Sequence, residues 1–284
     1  MSPIYRSMLF VPVLRDRLVH TAASSGAGAI ILDLEDSIPP DSKEQARAAL
    51  DAAAAKLRDA GAVVFVRVNR GSREDLLASA RIAPDGLILP KVATPDDLRE
   101  AVDVFQSGAS DGRKTRLYAT IETAAGVVNA PAIAAGGSVD GLMFGAGDFA
   151  FDTGMAYDES VMEMPACLVV IAARSASLPA YGLAGPITNL AHSSRLLTIA
   201  RRSKALGFSG SPAIHPRQVP IIEEAFAPLP DEVERAKRII ALYEASDGLP
   251  MKDDGTLIEW PLYREACSLL GRTPESRMQL DSRK

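Results

Sequence analysis

The sequence predicts an α/β protein, a (β/α)8 TIM barrel followed by a short C-terminal extension. Short apolar, β-branched runs alternate with longer stretches rich in Ala, Arg and Glu, a pattern typical of βα units around a parallel sheet. Eight such runs occur, and 284 residues suit one barrel of roughly 250 residues with a tail. Eight βα units in a chain of this length favour a closed barrel over an open sheet.

The predicted strands are short, and several are uninterrupted apolar runs, as expected where strands are buried on both faces. In chain order they are Ser7–Val11, Ala29–Leu34, Val63–Val68, Gly86–Pro90, Leu117–Ile121, Gly141–Phe144, Ala180–Ala184 and Gly210–Ile214. No strand–GxGxxG–helix unit accompanies them, so the sequence lacks a dinucleotide-binding fingerprint.

Helical patterns lie between these strands. One helix is predicted over Asp41–Lys56, with Asp41 or Ser42 as its N-cap. Another begins with Thr94 as cap and Pro95 at the first helical position. An amphipathic pattern predicts a further helix over Glu232–Ala245.

Two domains are predicted, a barrel catalytic domain at residues 1–248 and a C-terminal extension at 249–284. The boundary is placed at Gly248-Leu249-Pro250, where a Gly and a Pro interrupt the helical pattern. Within the extension, Asp253–Gly255 predicts a turn and Pro261–Leu270 a short helix, and the end from Thr273 to Lys284 is polar.

Composition excludes several classes of function. The net charge is −5 and there are no basic runs, so no nucleic-acid partner is expected. The longest uninterrupted apolar run, Ala166 to Ala173, is far shorter than the roughly twenty residues of a membrane span. The two cysteines form no CxxC pair, which disfavours a disulfide framework or structural zinc and fits a reducing, cytoplasmic location.

The polar residues at the predicted strand ends are the candidates for chemistry, because barrel enzymes place their active sites there. Glu122 follows the fifth strand, Asp148 follows the sixth, and three acids follow the second. Carboxylates converging with carbonyls and water suit Mg²⁺. Among the three histidines only His215 falls at a strand end, so a His-rich zinc site is poorly supported. Alternatively, Glu122 or Asp148 caps the following helix.

Other residues near the strand ends allow two readings each. Arg67 lies inside an apolar run and needs a partner, either a structural carboxylate or an anionic substrate. The acids Asp33, Glu35 and Asp36 are so close in sequence that some of them are expected to point away from the mouth. The segment Gly145-Ala146-Gly147 can bring backbone N–H groups close to an anion. Serines lack a GxSxG context, which disfavours a serine hydrolase.

These motifs together resemble the HpcH/HpaI aldolase and citrate lyase β-subunit family, and within it the stand-alone CitE-like proteins. The similarity covers nearly the whole chain. The matching segments are Ser7–Pro12, Ile31–Asp36 (ILDLED) with Lys43 and Arg47, Val66–Asn69, Leu89–Lys91, Ile121–Thr123, Phe144–Asp148 and Ala213–Gln218.

The resemblance implies a magnesium ion on Glu122 and Asp148, with Arg67 binding the carboxylate of a 2-oxo acid. It implies lyase chemistry on a β-hydroxyacyl thioester, usually of coenzyme A, in a homo-oligomer, a trimer or hexamer. Arg67, Asp36 and Glu259 are taken as catalytic, and Gly145–Gly147 as substrate-binding together with Arg67. Glu259 stands where resembling enzymes carry an aspartate that reaches a neighbouring subunit's active site.

The sequence departs from the family pattern around the expected thioester site. Val13 replaces the glycine after the first-strand proline, Gly147 replaces an acid, and Ser211 replaces a lysine near the eighth strand. The metal motifs are intact while the thioester surroundings are altered, so weak affinity for ordinary acetyl-CoA is expected.

Three other functions compete with the lyase. The first is an acyl-CoA thioesterase on the same site, and the second is a subunit that is active only with a carrier-protein partner. The third is a pyruvate aldolase of the HpaI type. That branch carries an acid–His pair after the second strand, whereas here Glu35 is followed by Asp36.

Overall fold

The computed structural model describes residues 3–108, 114–188 and 193–275. Its main sheet contains eight parallel strands, paired in the order β7-β6-β5-β4-β3-β2-β1-β8. The strands are β1 (Ser7–Pro12), β2 (Ala29–Asp33), β3 (Val64–Arg67), β4 (Gly86–Leu89), β5 (Arg116–Ile121), β6 (Gly141–Phe144), β7 (Ala180–Gly182) and β8 (Ser211–Ala213). A parallel bridge between Tyr181 of β7 and Gly210, which directly precedes β8, joins the two edges of this sheet. The predicted (β/α)8 barrel is therefore confirmed.

Helices follow the strands, as the βα pattern predicts. In this part of the chain they are α1 (Asp16–Ala22), α2 (Lys43–Asp59), α3 (Arg73–Ile82), α4 (Pro95–Gly108), α5 (Ala124–Ala135), α6 (Ala146–Thr153), α7 (Glu159–Ser175), α8 (Ser193–Leu206) and α9 (Val219–Phe226). Short 3-10 turns occupy Ala23–Ser25, Pro40–Ser42 and Pro216–Gln218. The helix predicted from Asp41 begins at Lys43, and Ser42 caps it without a side-chain hydrogen bond.

Strand residues alternate between the barrel interior and the helix-facing side. The interior cluster consists of Tyr5, Met8, Ala29, Ile31, Phe65, Ile88, Tyr118, Met143 and Tyr181. Its rings form a chain in which Phe65 lies 5.4 Å from Tyr5 and 5.3 Å from Tyr118 between ring centres. Gly86 makes room for the Phe65 ring, because a Cβ on Gly86 would lie 2.0 Å from that ring. The interior is a packed core, so the strand ends are left to carry the site.

The residues from Ala227 onward form a second compact unit. It contains α10 (Pro230–Ala245), an antiparallel hairpin of β9 (Met251–Asp253) and β10 (Thr256–Ile258), and α11 (Trp260–Leu269). The predicted turn and short helix are both present. Compact packing divides the chain after Phe226 rather than near Gly248, because α10 packs against α11, with Tyr243 stacked 4.5 Å from Tyr263. Residues 276–284 of the predicted polar end lie outside the described residues.

Both cysteines, Cys167 and Cys267, are free. Among the described residues, no helix combines the length and apolar character that crossing a membrane requires.

Candidate active site

A cavity of about 490 Å³ lies at the carboxyl ends of the barrel strands. Its lining contains most of the residues predicted from the sequence, namely Asp36, Arg67, Glu122, Gly145, Ala146, Gly147 and Asp148. The rest of the wall is largely apolar, including Phe10, Phe144, Leu183 and Ile214. The two predicted metal ligands therefore face one cavity rather than different faces of the barrel.

Glu122 directly follows β5 and is held from two sides. Its carboxylate is buried, and Oε1 accepts a hydrogen bond from the backbone N–H of Lys91 at 2.8 Å. On the other side lies Gly145, where a Cβ would come within 2.3 Å of Glu122 Oε2. The glycine that follows β6 thus leaves the space that the carboxylate occupies.

Asp148 lies in the first turn of α6 and is exposed. A carboxylate at this helix end interacts favourably with the helix dipole. Because β5 and β6 are adjacent, Asp148 approaches Glu122. Burial, followed by the charges of Asp148 and Glu35, raises the pKa of Glu122 to about 8.

This donor set fits a hard divalent cation. A cation bound between a buried carboxylate and a second acid would offset the repulsion between their negative charges. In the described ranges no cluster of three or more His, Cys, Asp or Glu side chains could hold a metal. Mg²⁺ needs fewer, since it typically keeps several waters and takes one or two carboxylates. Glu122 and Asp148 are the residues that would hold it.

Arg67 ends β3 and is surrounded by the three acids that follow β2. Asp33 binds it bidentately, with Nε and Nη2 donating to the two carboxylate oxygens at 2.7 and 2.8 Å. Nη1 lies 2.9 Å from Glu35 Oε2 and donates to Asp36 Oδ2 at 3.2 Å. The guanidinium also lies over the Phe10 ring, 4.4 Å from its centre.

All three acids contact Arg67, and two of them, Asp33 and Asp36, line the cavity while Glu35 does not. Asp33 Oδ1 accepts the backbone N–H of Glu35 at 3.0 Å, and Oδ2 accepts that of Ser37 at 3.1 Å. These bonds fold the chain into a tight turn, which brings all three carboxylates to Arg67. Burial acts to raise the pKa of Asp33, but the hydrogen bonds and charge of Arg67 lower it overall.

Arg67 thus has a structural carboxylate partner, one of the two alternatives that the sequence left open. Asp33 occupies the Nε–Nη2 edge of the guanidinium, and only the Nη1 side faces the more exposed Asp36. Binding of a substrate carboxylate by Arg67 stays a prediction.

Lys91 and Glu35 link Arg67 to Glu122, and the sequence assigned no specific role to either residue. The Lys91 ammonium lies 3.7 Å from Glu35 Oε1, while its backbone N–H binds Glu122. Lys91 has a φ of 52°, in the left-handed region that non-glycine residues rarely adopt. Burial raises the pKa of Glu35 to about 7. The sequence signals were the position of Lys91 after the fourth strand and that of Glu35 among the three acids after the second strand.

Two further candidates are His215 and Glu259. His215 caps a 3-10 turn, its Nδ1 accepting the backbone N–H of Arg217 at 3.1 Å, a contact that supports the structural interpretation of this residue. Glu259 belongs to the second compact unit, where it precedes α11 and is exposed. A catalytic role for Glu259 stays a prediction. His192 lies outside the described residues.

Comparison with known proteins identifies similar chains along most of the length. The chain is 33% identical over 249 residues to a (3S)-malyl-CoA thioesterase of Cereibacter sphaeroides, which covers 86% of this chain and 84% of that protein. It is 27% identical to the mitochondrial citramalyl-CoA lyase of Homo sapiens, with 92% and 83% covered.

A solved structure is similar over nearly the whole chain. It is the CitE protein of Mycobacterium tuberculosis in complex with magnesium, acetoacetate and coenzyme A, with a TM-score of 0.76, 25% identity, and 96% and 99% of the two chains covered. The sequence pattern of the HpcH/HpaI aldolase/citrate lyase family matches residues 6–216, which include every candidate residue of the barrel site. The chain therefore belongs to the HpcH/HpaI aldolase/citrate lyase family.

Proposed function

We propose that the protein is a magnesium-dependent carbon–carbon lyase that cleaves or forms a β-hydroxyacyl thioester with a 2-oxo acid as one product. The observation that carries the proposal is the convergence of Glu122, Asp148 and Arg67 on one cavity. The citramalyl-CoA lyase among its relatives and the magnesium complex of the similar CitE structure support it.

Glu122 and Asp148 are proposed to hold Mg²⁺ at the ends of β5 and β6. The bound ion would acidify a coordinated hydroxyl and polarise the carbonyl that forms from it. Arg67 is proposed to bind the 2-oxo acid carboxylate through the Nη1 side that Asp36 now contacts at 3.2 Å. Gly145 precedes α6, and its own N–H donates to Ile121 O at 3.1 Å. The N–H groups of Ala146 and Gly147 begin α6 beside the metal ligands and are proposed to assist, since the first N–H groups of a helix have no partner within it.

The proposed reaction takes the substrate hydroxyl proton to a base as the carbonyl of the 2-oxo acid forms. The bond between the carbinol carbon and the thioester α-carbon breaks, and its electron pair stays on the α-carbon as an enolate, which is then protonated. Asp36, an exposed acid at the cavity, is proposed as a proton-handling group. Glu259 of a neighbouring subunit is the second proposed proton carrier, in the place where resembling enzymes have an aspartate.

The thioesterase alternative is favoured by a specific finding, because the Cereibacter sphaeroides relative is a malyl-CoA thioesterase. In that reaction water attacks the thioester carbonyl, the carbon–carbon bond stays intact, and the products are a hydroxy acid and a free thiol. The two activities therefore differ in products that are simple to measure. A third possibility is a subunit that accepts its acyl group only from a carrier protein.

Product analysis with Mg²⁺ and malyl or citramalyl thioesters of coenzyme A tests the proposal. A lyase releases 2-oxo acid, detected with a coupled dehydrogenase, without free thiol. A thioesterase releases thiol, detected with a disulfide reagent, without 2-oxo acid. If neither product appears, the lyase proposal fails for coenzyme A substrates, and the same assay with acyl-carrier protein tests the carrier-dependent subunit.

The Arg67→Lys variant tests the carboxylate site separately. Lysine has no planar fork and cannot reproduce the paired hydrogen bonds of a guanidinium. Calorimetry is expected to show Mg²⁺ binding retained and pyruvate affinity lowered at least about tenfold, a loss of about 1.4 kcal/mol. Undiminished pyruvate affinity would refute the assignment.

We also propose that the protein is a cytoplasmic homo-oligomer, a trimer or hexamer. Support comes from an exposed apolar face on two packed helices, which we call the α5/α7 face. It consists of Ala124, Ala125, Val128, Pro131, Ala132 and Ala135 on α5 and Met164, Leu168 and Ile171 on α7. Exposed apolar patches of this kind mark interaction sites. Coenzyme A remains a possible carrier, although Val13 and Ser211 predict weak affinity for acetyl-CoA.

A further inference from the structure

A second polar network lies behind the turn that follows β2. The ammonium of Lys43, the first residue of α2, donates three hydrogen bonds, to the backbone carbonyls of Leu34 at 2.7 Å and Glu35 at 2.6 Å and to Asn69 Oδ1 at 2.7 Å. An ammonium has three N–H donors, so this one is fully used. None of these three acceptors is a carboxylate. The Lys43 ammonium instead binds two backbone carbonyls of the turn and the side-chain amide oxygen of Asn69.

The network continues into the neighbouring βα unit. Asn69 Nδ2 donates to Leu34 O at 2.7 Å and to Asp75 Oδ2 at 2.6 Å. Asp75, on α3, is fully buried and also binds Arg47 at 3.0 Å. Lys43 and Arg47 are four residues apart and therefore share one face of α2. One helix face thus ties together the β2 turn, the end of β3 and α3.

The turn is held on two sides at once. Its carbonyl oxygens at Leu34 and Glu35 bind Lys43, while the carboxylates of Glu35 and Asp36 contact Arg67. We propose that Lys43 is a positioning residue, which fixes this turn so that its acids hold Arg67 in the orientation needed at the cavity. The inference rests on the proposed function only in taking the ligand of Arg67 to be a 2-oxo acid.

Removing the ammonium has a defined physical consequence. A Lys43→Met side chain keeps the aliphatic length but leaves three acceptors without their charged donor, and hydrogen bonds to charged groups are the stronger ones. The turn can then relax, which lets the carboxylates around Arg67 shift. Within the described residues, Glu122 and Asp148 make no hydrogen bond to Lys43 or Asn69. The turn is linked to Glu122 through Lys91, whose ammonium lies 3.7 Å from Glu35 Oε1 and whose backbone N–H binds Glu122. Because the Lys91 side chain can move without its backbone N–H, the metal ligands should keep their geometry.

Lys56→Met is the matched control. Lys56 lies on the same helix and loses the same charge in the same substitution, but it is exposed and pairs with Asp16. In the full-length protein loaded with Mg²⁺, calorimetric titration with pyruvate is expected to show at least about tenfold weaker binding for Lys43→Met, about 1.4 kcal/mol. Mg²⁺ affinity should stay within about twofold, and Lys56→Met should match the unaltered protein in both titrations. A merely structural role would weaken both ligands together or neither.

Hydrogen exchange gives a second readout that does not depend on substrate. Amide exchange in a peptide covering residues 33–38 is expected to accelerate in Lys43→Met and not in Lys56→Met, while a peptide covering residues 119–123 is unchanged. Equal exchange at 33–38 in both variants overturns the inference. If the unaltered protein binds Mg²⁺ but no pyruvate, the proposed function fails and the exchange result still decides the role of Lys43.

Asn69→Ala is a second variant that tests the same inference if Lys43→Met does not fold. It removes one of the three acceptors of Lys43 and the side-chain bond to Asp75, while the backbone N–H of residue 69 keeps its bond to Asp75 and Lys43 keeps the two turn carbonyls. Asn69→Ala is expected to give the same pattern as Lys43→Met with a smaller effect, namely weaker pyruvate binding and unchanged Mg²⁺ binding. Unchanged pyruvate binding in both Asn69→Ala and Lys43→Met would contradict the proposal.

Discussion

Glu35 is a buried acid whose charge opposes folding. Burial, the largest cause, raises its pKa from the ordinary value of 4.5 to about 7, although Arg67 and Lys91 act in the opposite direction. Because the folded state holds the proton more tightly than the unfolded state, ionisation destabilises the fold as the pH rises from 4.5 through 7.

Glu35→Gln should therefore stabilise the metal-free protein at high pH only. At about pH 8 the variant is expected to gain about 1–3 kcal/mol of unfolding free energy over the unaltered protein, and at about pH 4.5 the two should be similar. Urea unfolding with a chelator present, at both pH values, measures this difference. A variant that is less stable at pH 8 would show that the ion pairs of Glu35 outweigh its burial.

Gly145 and Gly147 offer a matched pair for testing the metal site. A Cβ at Gly145 would lie 2.3 Å from Glu122 Oε2 and 2.7 Å from Glu122 Cβ, whereas one at Gly147 meets nothing closer than 3.7 Å, on Tyr157. Gly145→Ala is expected to displace Glu122 and lower Mg²⁺ affinity at least about tenfold, about 1.4 kcal/mol. Gly147→Ala should change it little. Equal Mg²⁺ affinities in calorimetry would argue against Glu122 as a ligand.

For single residues, the sequence predicts which ones lie at the cavity better than it predicts which side chains contact one another. Glu122 and Asp148 face the cavity because carboxyl ends of parallel strands meet at one side of a barrel. The pairing of Asp33 with Arg67 was not predictable, since it depends on a turn that Asp33 itself makes with the N–H groups of Glu35 and Ser37. The left-handed backbone of Lys91 also has no sequence signal, because glycine or asparagine is the usual residue there.

Helix caps give a test at the scale of elements. The Ser72 hydroxyl accepts the backbone N–H of Asp75 at 3.2 Å and caps α3, whereas Ser42 precedes α2 without a side-chain bond. Ser72→Ala is expected to cost about 1 kcal/mol of unfolding free energy. Ser42→Ala should stay within about 0.5 kcal/mol. Chemical denaturation of both variants compares them directly, and equal losses would show that the Ser72 bond contributes nothing.

All eight strands were predictable because each is an apolar run between turn signals, and most observed ends lie within a residue or two of the predicted ones. The start of α2 was less certain, because Pro40–Ser42 forms a 3-10 turn before the helix. The division of the chain was not visible in composition. α10 has an amphipathic pattern that fits a barrel helix equally well, and only its packing against α11 assigns it to the second unit.

The α5/α7 face makes the oligomeric state testable at the scale of the whole molecule. Ile171 is 64% exposed on α7, and Leu18 is 44% exposed on α1, away from that face. Ile171→Lys places a charge where the proposed interface excludes water, so sedimentation is expected to show dissociation to smaller species. Leu18→Lys should sediment as the unaltered protein does. An oligomer that survives Ile171→Lys together with Met164→Lys would place the interface elsewhere.

The shared active site is the final prediction, and it requires the proposed oligomer. Glu259 is an exposed acid before α11, and Trp260 beside it packs 5.7 Å from Tyr263 between ring centres, so the segment has a rigid anchor from which a carboxylate can project. A carboxylate that reaches a neighbouring site and faces its substrate could accept or donate a proton during the reaction. Glu122→Gln removes a proposed metal ligand, and Glu259→Gln removes the proposed proton carrier, so each variant alone is expected to be inactive. In mixed oligomers some sites combine an intact Glu122 with an intact Glu259 from the neighbour, and partial activity should return.

The mixed-oligomer experiment needs a control for subunit exchange, so labelled subunits must be shown to exchange in the same sample. If they exchange and no activity returns, the site is not shared, and if Glu259→Gln alone is fully active, Glu259 takes no part in the chemistry.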